Sequence, residues 1–185
     1  MKKHITYLNS LSACEKAVVW ATQFPTLQKA WDKCERGDWM LWLIVKQAGG
    51  LVSKSRKKLV LTACKCARLA LKYVPKEEKR PLKAIQTTEK WANGDSSISL
   101  DDIRNAANAA DAAYAAYYAA AYAANAADAA PYAAYAAYAA AHAALDDIRN
   151  AVYAANAAYY AAARSKVLEQ CADIVREMYP KIRIK

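Results

Sequence analysis

Glycine is scarce in this sequence. Only Gly37, Gly49, Gly50 and Gly94 are present, which excludes a phosphate-cradling loop and a dinucleotide fingerprint, since both need closely spaced glycines. Histidine is scarcer still. His4 lies near the terminus and His142 sits in an alanine tract, so no second histidine completes a metal cluster and there is little basis for a nucleophile–base pair. The cysteines Cys14, Cys34, Cys64, Cys66 and Cys171 are odd in number and include no C-x-x-C pair, which argues against a disulfide framework or a zinc site. No stretch reaches the ~18 consecutive apolar residues of a membrane span unless alanine is counted, and the alanine tract is interrupted about every third residue by Tyr, Asn or Asp. The basic start Met1-Lys2-Lys3-His4 leads into neither an apolar core nor a small-residue cleavage pattern, so a signal peptide is not expected. These absences point to the reduced cytosol, with no membrane, metal or cofactor and no recognisable catalytic machinery.

What is present is positive charge. Lys and Arg number 27 against 17 Asp and Glu, a formal net charge of +10 over 185 residues. Such an excess destabilises a compact state through self-repulsion and favours an anionic partner. A nucleic acid, a nucleotide, an acidic protein or a membrane surface would all serve, and charge alone ranks none of them. The length fits one domain, read here as two halves: residues 1–98, basic and Trp-rich with short helices, and residues 99–179, rich in Ala and Tyr with long helices.

In the first half, Ser12 and Glu15 have capping-box spacing before an apolar run, and Phe24-Pro25 ends that helix. Thr26 is placed to cap a helix reaching Gly37, and Asp38 to cap the apolar run Trp39–Val45, closed by Gly49-Gly50. A helix is expected from Arg56 to Val74, with Val60, Ala63, Ala67, Leu71 and Val74 on one side and the basic stripe Lys58, Lys65, Arg68 and Lys72 on another. Pro81 suits the first turn of a further helix to Trp91, with Gly94 as its stop.

The second half changes composition abruptly. Between Ala106 and Ala163 alanine exceeds half of the residues, in Ala-Ala-X units whose X is mostly Tyr, Asn or Asp. Alanine has the highest helix propensity, so helix is expected from about Leu100 to Ala130 and, beyond the interruption at Pro131, to about Tyr179. Ser99 and Asp102 form a capping-box-like start, and the segment from Leu100 to Ala106 recurs from Leu145 to Ala151. Facing alanines let helices approach closely, so the larger X residues, among them Tyr114, Tyr118, Tyr135 and Tyr138, should form a winding stripe that packs on the Trp-rich half or lines a cleft. Asp101 with Arg104, and Asp146 with Arg149, read first as local ion pairs worth about 0.3–0.5 kcal/mol. The expected fold class is all-α, a compact multi-helix bundle with long alanine-rich helices packed on a Trp-rich N-terminal half.

The run Cys34-Glu35-Arg36-Gly37-Asp38-Trp39-Met40-Leu41-Trp42, the segment Leu100-Asp101-Asp102-Ile103-Arg104 with its tandem Ala-Ala-X units, and Cys171-Ala172-Asp173-Ile174-Val175-Arg176 together resemble an alanine-rich family of putative immunity proteins. That family is similar to the fifth class of polymorphic-toxin immunity domains and is found in bacteria and phages. The resemblance covers most of the chain and implies toxin neutralisation in the bacterial host cytosol, with no catalytic residues to carry over.

An immunity protein that blocks a nuclease usually presents acid to a basic cleft, and this chain has the opposite sign. Either its toxin is acidic, or its ligand is a small anion. The leading expectation is a non-catalytic protein of phage–bacterium conflict that sequesters a nucleotide immune signal, with Tyr against the base and Lys or Arg against the phosphates. The alternatives are an immunity protein that binds a toxin directly and a non-specific nucleic-acid binder using the basic stripe. A homo-oligomer is left open. The candidate ligand-binding set is Arg68, Lys72, Arg104, Asn108, Asp111, Tyr114, Tyr118, Tyr135, Tyr138 and Arg149; no residue is assigned to catalysis or metal binding.

Overall fold

The structure is a computed structural model that describes residues 2–50, 53–124, 135, 138–142 and 166–184, with side chains described at these positions except Tyr73, 114–124 and Lys166. The fold is all-α, and no strand occurs among the described residues. In chain order come α1 (Lys3–Ser10), α2 (Glu15–Ala21), α3 (Leu27–Lys33), α4 (Gly37–Gln47), α5 (Lys54–Arg68), a 3-10 turn (Leu71–Tyr73), α6 (Arg80–Ala92), α7 (Leu100–Ala124) and α8 (Lys166–Met178). Residues 138–142 are also helical.

Several of these boundaries follow from local chemistry. The Thr26 side chain accepts from the Lys29 N–H at 3.2 Å and starts α3. At the start of α7, the Asp102 N–H donates to Ser99 Oγ at 3.1 Å while the Ser99 N–H donates to Asp102 Oδ2 at 2.8 Å, a reciprocal capping box. α6 ends in a Schellman motif. Gly94, at φ +92, donates to Trp91 O and the Asp95 N–H reaches back to Lys90 O.

Other boundaries differ from expectation. Ser12 does not cap α2; it takes φ +61, and Cys14 occupies the N-cap position without a side-chain bond. α3 stops at Lys33 rather than Gly37, and Gly37 itself opens α4. Asp38 lies in the first turn of α4, where Arg36 engages its carboxylate at 2.9 and 2.6 Å, so it caps nothing. The basic helix expected to reach Val74 ends at Arg68, and the chain tightens into the 3-10 turn instead.

α5 lies at the centre. Leu59, Val60, Ala63, Cys64, Cys66 and Ala67 are all fully buried, an arc too wide for one neighbour, and α5 accordingly packs against α6 on one side and α8 on another. α6 lies between α5 and α7, with its most extensive packing against α7. There α7 offers Ile103, Ala107, Ala110 and Ala113, all fully buried, so the close approach expected of alanine-faced helices is realised. α8 lies across α4 and α5. Residues after α8 strap the N-terminal helices: the Trp31 indole donates to Tyr179 O at 2.9 Å, the Ile182 N–H to Gln28 Oε1 at 2.9 Å, and Gln47 Nε2 to Arg183 O at 2.8 Å. One hydrophobic cluster runs from Ile5 in α1 to Ile182 in this strap.

Gly37 is dictated by the crossing of α4 and α8. A Cβ there would stand 2.4 Å from Cys171 Cβ and 2.8 Å from the backbone nitrogen of Ala172, whereas a Cβ on Gly50 meets nothing within 4 Å. Gly37→Ala should therefore lower stability by about 1–3 kcal/mol through overpacking, and Gly50→Ala should change it by less than about 0.5 kcal/mol, as read from denaturant unfolding midpoints. The capping box yields a second expectation. Hydrogen bonds from Ser99 hold the Asp102 carboxyl below its ordinary value of 3.8, so its support for the α7 start is present above that value and lost as pH falls through the lower folded value. In Ser99→Ala the Asp102 carboxyl should titrate back toward the ordinary range in an NMR pH titration.

Candidate functional site

The outer face of α6 follows from its register. Pro81, Ala84, Ile85, Thr88, Trp91 and Ala92 are buried, and at 3.6 residues per turn they occupy one side of the helix. On the opposite side Lys79, Lys83, Gln86 and Lys90 fall within about 60° of one another. All four are exposed. With Leu82, Thr87 and Ile98 they line a groove along the helix. Among the described residues, no carboxylate lies within ion-pair distance of Lys79, Lys83 or Lys90. Asp95, the acidic group that feels Lys90, is itself occupied by Ser97, whose N–H and hydroxyl it accepts at 3.0 and 2.6 Å.

The arginines behave differently. Arg68 reaches across from α5 to grip Glu89 of α6 with both arms, at 2.7 and 2.5 Å. Arg80 holds Glu78 in the same forked manner and draws its carboxyl below the ordinary 4.5. Arg36 closes on Asp38, Arg104 on Asp101, and Arg176 on Asp173 and the Cys34 carbonyl. Each of these guanidinium groups is satisfied by the protein's own oxygens. The lysine stripe expected on the basic helix is also partly engaged: Lys65 pairs with Glu177 at 3.1 Å, and Lys58 lies 4.6 Å from the centre of the Tyr179 ring.

The set expected from sequence does not come together in one place. Arg68 and Arg104 serve ion pairs on α5 and α7, with α6 between those helices. Lys72 is exposed in the 3-10 turn. Asn108 and Asp111 are exposed on α7. Of the tyrosines, Tyr135 and Tyr138 stack at 5.6 Å and pack, half-buried, against the hydrophobic cluster, with His142 at 4.3 Å from Tyr138. Burial and the nearby Asp111 charge push the Tyr138 hydroxyl above its ordinary range, so of the described members Tyr135 and Tyr138 meet, with Asp111 close by. The Tyr114 and Tyr118 side chains and the whole of Arg149 lie outside the described residues, as do Pro131 and the Asp146–Arg149 pair.

Among the described residues no group of His, Cys, Asp and Glu could hold a metal ion, and no helix is long and apolar enough to cross a membrane. The five cysteines are free thiols. Cys66 and Cys171 are both buried, and the neighbouring Cys171 thiol together with burial raises Cys66 well above the ordinary thiol range.

Residues 50–181, which take in α5 to α8 and so the lysine face together with Arg68, Arg80, Arg104 and Arg176, match the family described as Imm-5 like putative immunity protein. The chain belongs to this family. No curated protein and no solved structure matches it. In the matched region, unlike Arg68, Arg80, Arg104 and Arg176, the α6 lysines remain open. Sequence reading passed over them, although their helical spacing opposite an apolar face was a usable signal.

The two classes of cation should separate in stability measurements. Arg68→Ala should cost about 0.5–1 kcal/mol, a value discounted for the partial exposure of the pair, while Lys83→Ala should stay within about 0.5 kcal/mol of the parent. Equal losses in thermal or urea unfolding would remove the distinction.

Proposed function

We propose that this immunity protein neutralises its toxin by direct, non-catalytic contact, and that the toxin surface it meets is acidic. The observation that carries this reading is the division between cations. Arginine is the residue suited to forked recognition of phosphate, and here the guanidinium groups of Arg36, Arg68, Arg80, Arg104 and Arg176 are closed by internal partners. On α6, by contrast, Lys79, Lys83 and Lys90 are exposed, aligned on one helix face and without an ion pair among the described residues. Point charges of that kind act at range, steering a complementary protein surface into contact and discouraging partners of like sign. Leu82 and Ile98 in the same groove supply apolar area for the docked state.

Sequestration of a nucleotide signal is the competing reading. Exposed lysines would serve it; of its arginines, Arg68 would first have to leave Glu89, whereas the exposed Arg104–Asp101 pair opens at little cost.

The test is charge reversal. A variant combining Lys79→Glu, Lys83→Glu and Lys90→Glu should remain folded and should lower the association rate with the toxin recovered on the affinity-tagged protein by about tenfold or more at low salt. The wild-type rate should itself fall as salt is added. Unchanged association in the triple variant would exclude the α6 face. A thermal shift with cyclic nucleotides or ADP-ribose derivatives, with the ligand released intact on heating, would transfer the function to sequestration.

A further inference from the structure

Ahead of residue 50, where the family match begins, the N-terminal helices enclose a cavity of about 270 Å³ that the toxin reading does not use. Its walls include Trp20, Trp31, Trp39 and Trp42, four of the protein's five tryptophans. In its lining Trp31 and Met40 are buried, while Cys14 at the head of α2 is exposed and Trp20 is half-buried, so the mouth lies on the α2 side.

We propose that this cavity is a binding site for a small, uncharged aromatic molecule of about two fused rings. Three observations converge on that class.

The first is electrical neutrality. Asp38 is the only carboxylate in the lining, and Arg36 neutralises it through two hydrogen bonds at 2.9 and 2.6 Å. The Trp31 N–H is committed to Tyr179 O, and the Cys34 thiol to Arg36 O at 3.6 Å. Burial pushes that thiol up to about 11, so it too carries no charge at neutral pH. Arg36 and Lys46 lie over the Trp39 and Trp42 rings at 4.5 and 5.4 Å, but neither lines the cavity, so a charged ligand would lose its hydration inside it without a partner in return.

The second is shape and size. Trp20 and Trp39, both in the wall, meet edge to face at 6.1 Å, the geometry in which aromatic rings pack favourably and which a flat aromatic guest can extend. The Met40 thioether adds a polarizable contact. A cavity of about 150 Å³ accommodates benzene, so in proportion this one holds about ten or eleven heavy atoms, the size of indole or naphthol.

The third is a wall that can yield. α2 packs against α1, and the segment beyond it is tethered by Lys2 Nζ to the carbonyls of Thr22 and Phe24 at 2.7 and 2.9 Å. The connection from α1 passes through Ser12 at φ +61, a left-handed conformation that a serine adopts only at a cost. Strain beside a sparsely held helix gives the cavity a means of entry.

The experiment uses the full chain with indole and 1-naphthol as neutral probes and 1-naphthoate as the charged counterpart. Titration calorimetry should detect binding of the neutral probes, the melting temperature should rise with probe concentration, and 1-naphthoate should bind at least tenfold more weakly than 1-naphthol. Ala17→Trp, which fills the cavity from its half-buried α2 wall, should weaken 1-naphthol at least tenfold. Val19→Trp, on the exposed side of the same helix, should leave binding unchanged. A measurement on the wild-type protein guards against a variant that does not fold: Cys14 at the mouth should react with a maleimide several times more slowly when 1-naphthol is saturating. The proposal is overturned if neither neutral probe binds at millimolar concentration, if the two tryptophan variants bind alike, if naphthoate binds as tightly as naphthol, or if Cys14 reactivity is unmoved.

Discussion

Close approach between helix backbones is the constraint on which the rest of this structure depends. Where α7 meets α6 the buried face is Ile103 followed by three alanines, and where α4 meets α8 it narrows to a glycine against Cys171. Contacts of this sort derive their strength from dense packing over many small groups rather than from a few large side chains. They also leave little room for error, since one methyl group at Gly37 would occupy space already held by α8. The large side chains are displaced to two places as a result. Tyr135 and Tyr138 pack at the edge of the cluster, and tryptophans collect among the short N-terminal helices.

The same economy of space shapes the charge. Arg68 bridges two helices that lie close together, and its planar fork meets Glu89 from a neighbouring helix in a geometry that a lysine would not reproduce. Arg68 thus ties α5 to α6, while the α6 lysines face outward. A net charge of +10 is consequently less uniform than it sounds. On α5, Arg68 and Lys65 are answered by Glu89 and Glu177, whereas Lys79, Lys83 and Lys90 form an aligned row with no carboxylate at ion-pair distance among the described residues.

Features whose determinants lie within a single turn were legible in the sequence. Thr26, the Ser99–Asp102 box, Pro81 in the first turn of α6 and the Gly94 stop each act through partners a few residues away. The failures at Ser12 and Asp38 arose from competition at equally short range: a left-handed turn removed Ser12 from its capping position, and Arg36 drew the Asp38 carboxylate to itself. The site was harder to read for a different reason. Nothing in the spacing of Arg68 announces Glu89, which is 21 residues away on another helix, so a guanidinium that looked available is in fact closed. The α6 lysines carried a plain periodic signal, but the denser run Lys54-Ser55-Arg56-Lys57-Lys58 drew attention to α5 first.

The strap after α8 bears on how the chain is made. Trp31 and Gln28 find their hydrogen-bond partners 148 and 154 residues further along, at Tyr179 and Ile182. A ribosome adding about 5–20 residues per second needs roughly 7–30 s to cover that distance. Through that interval the tryptophan-rich helices have emerged without the backbone groups that complete them, and their apolar surface is open to other chains. Burial of the first-made part of this protein is therefore timed by the synthesis of a much later one, and the nascent chain has a window for chaperone capture that a locally folding bundle would lack.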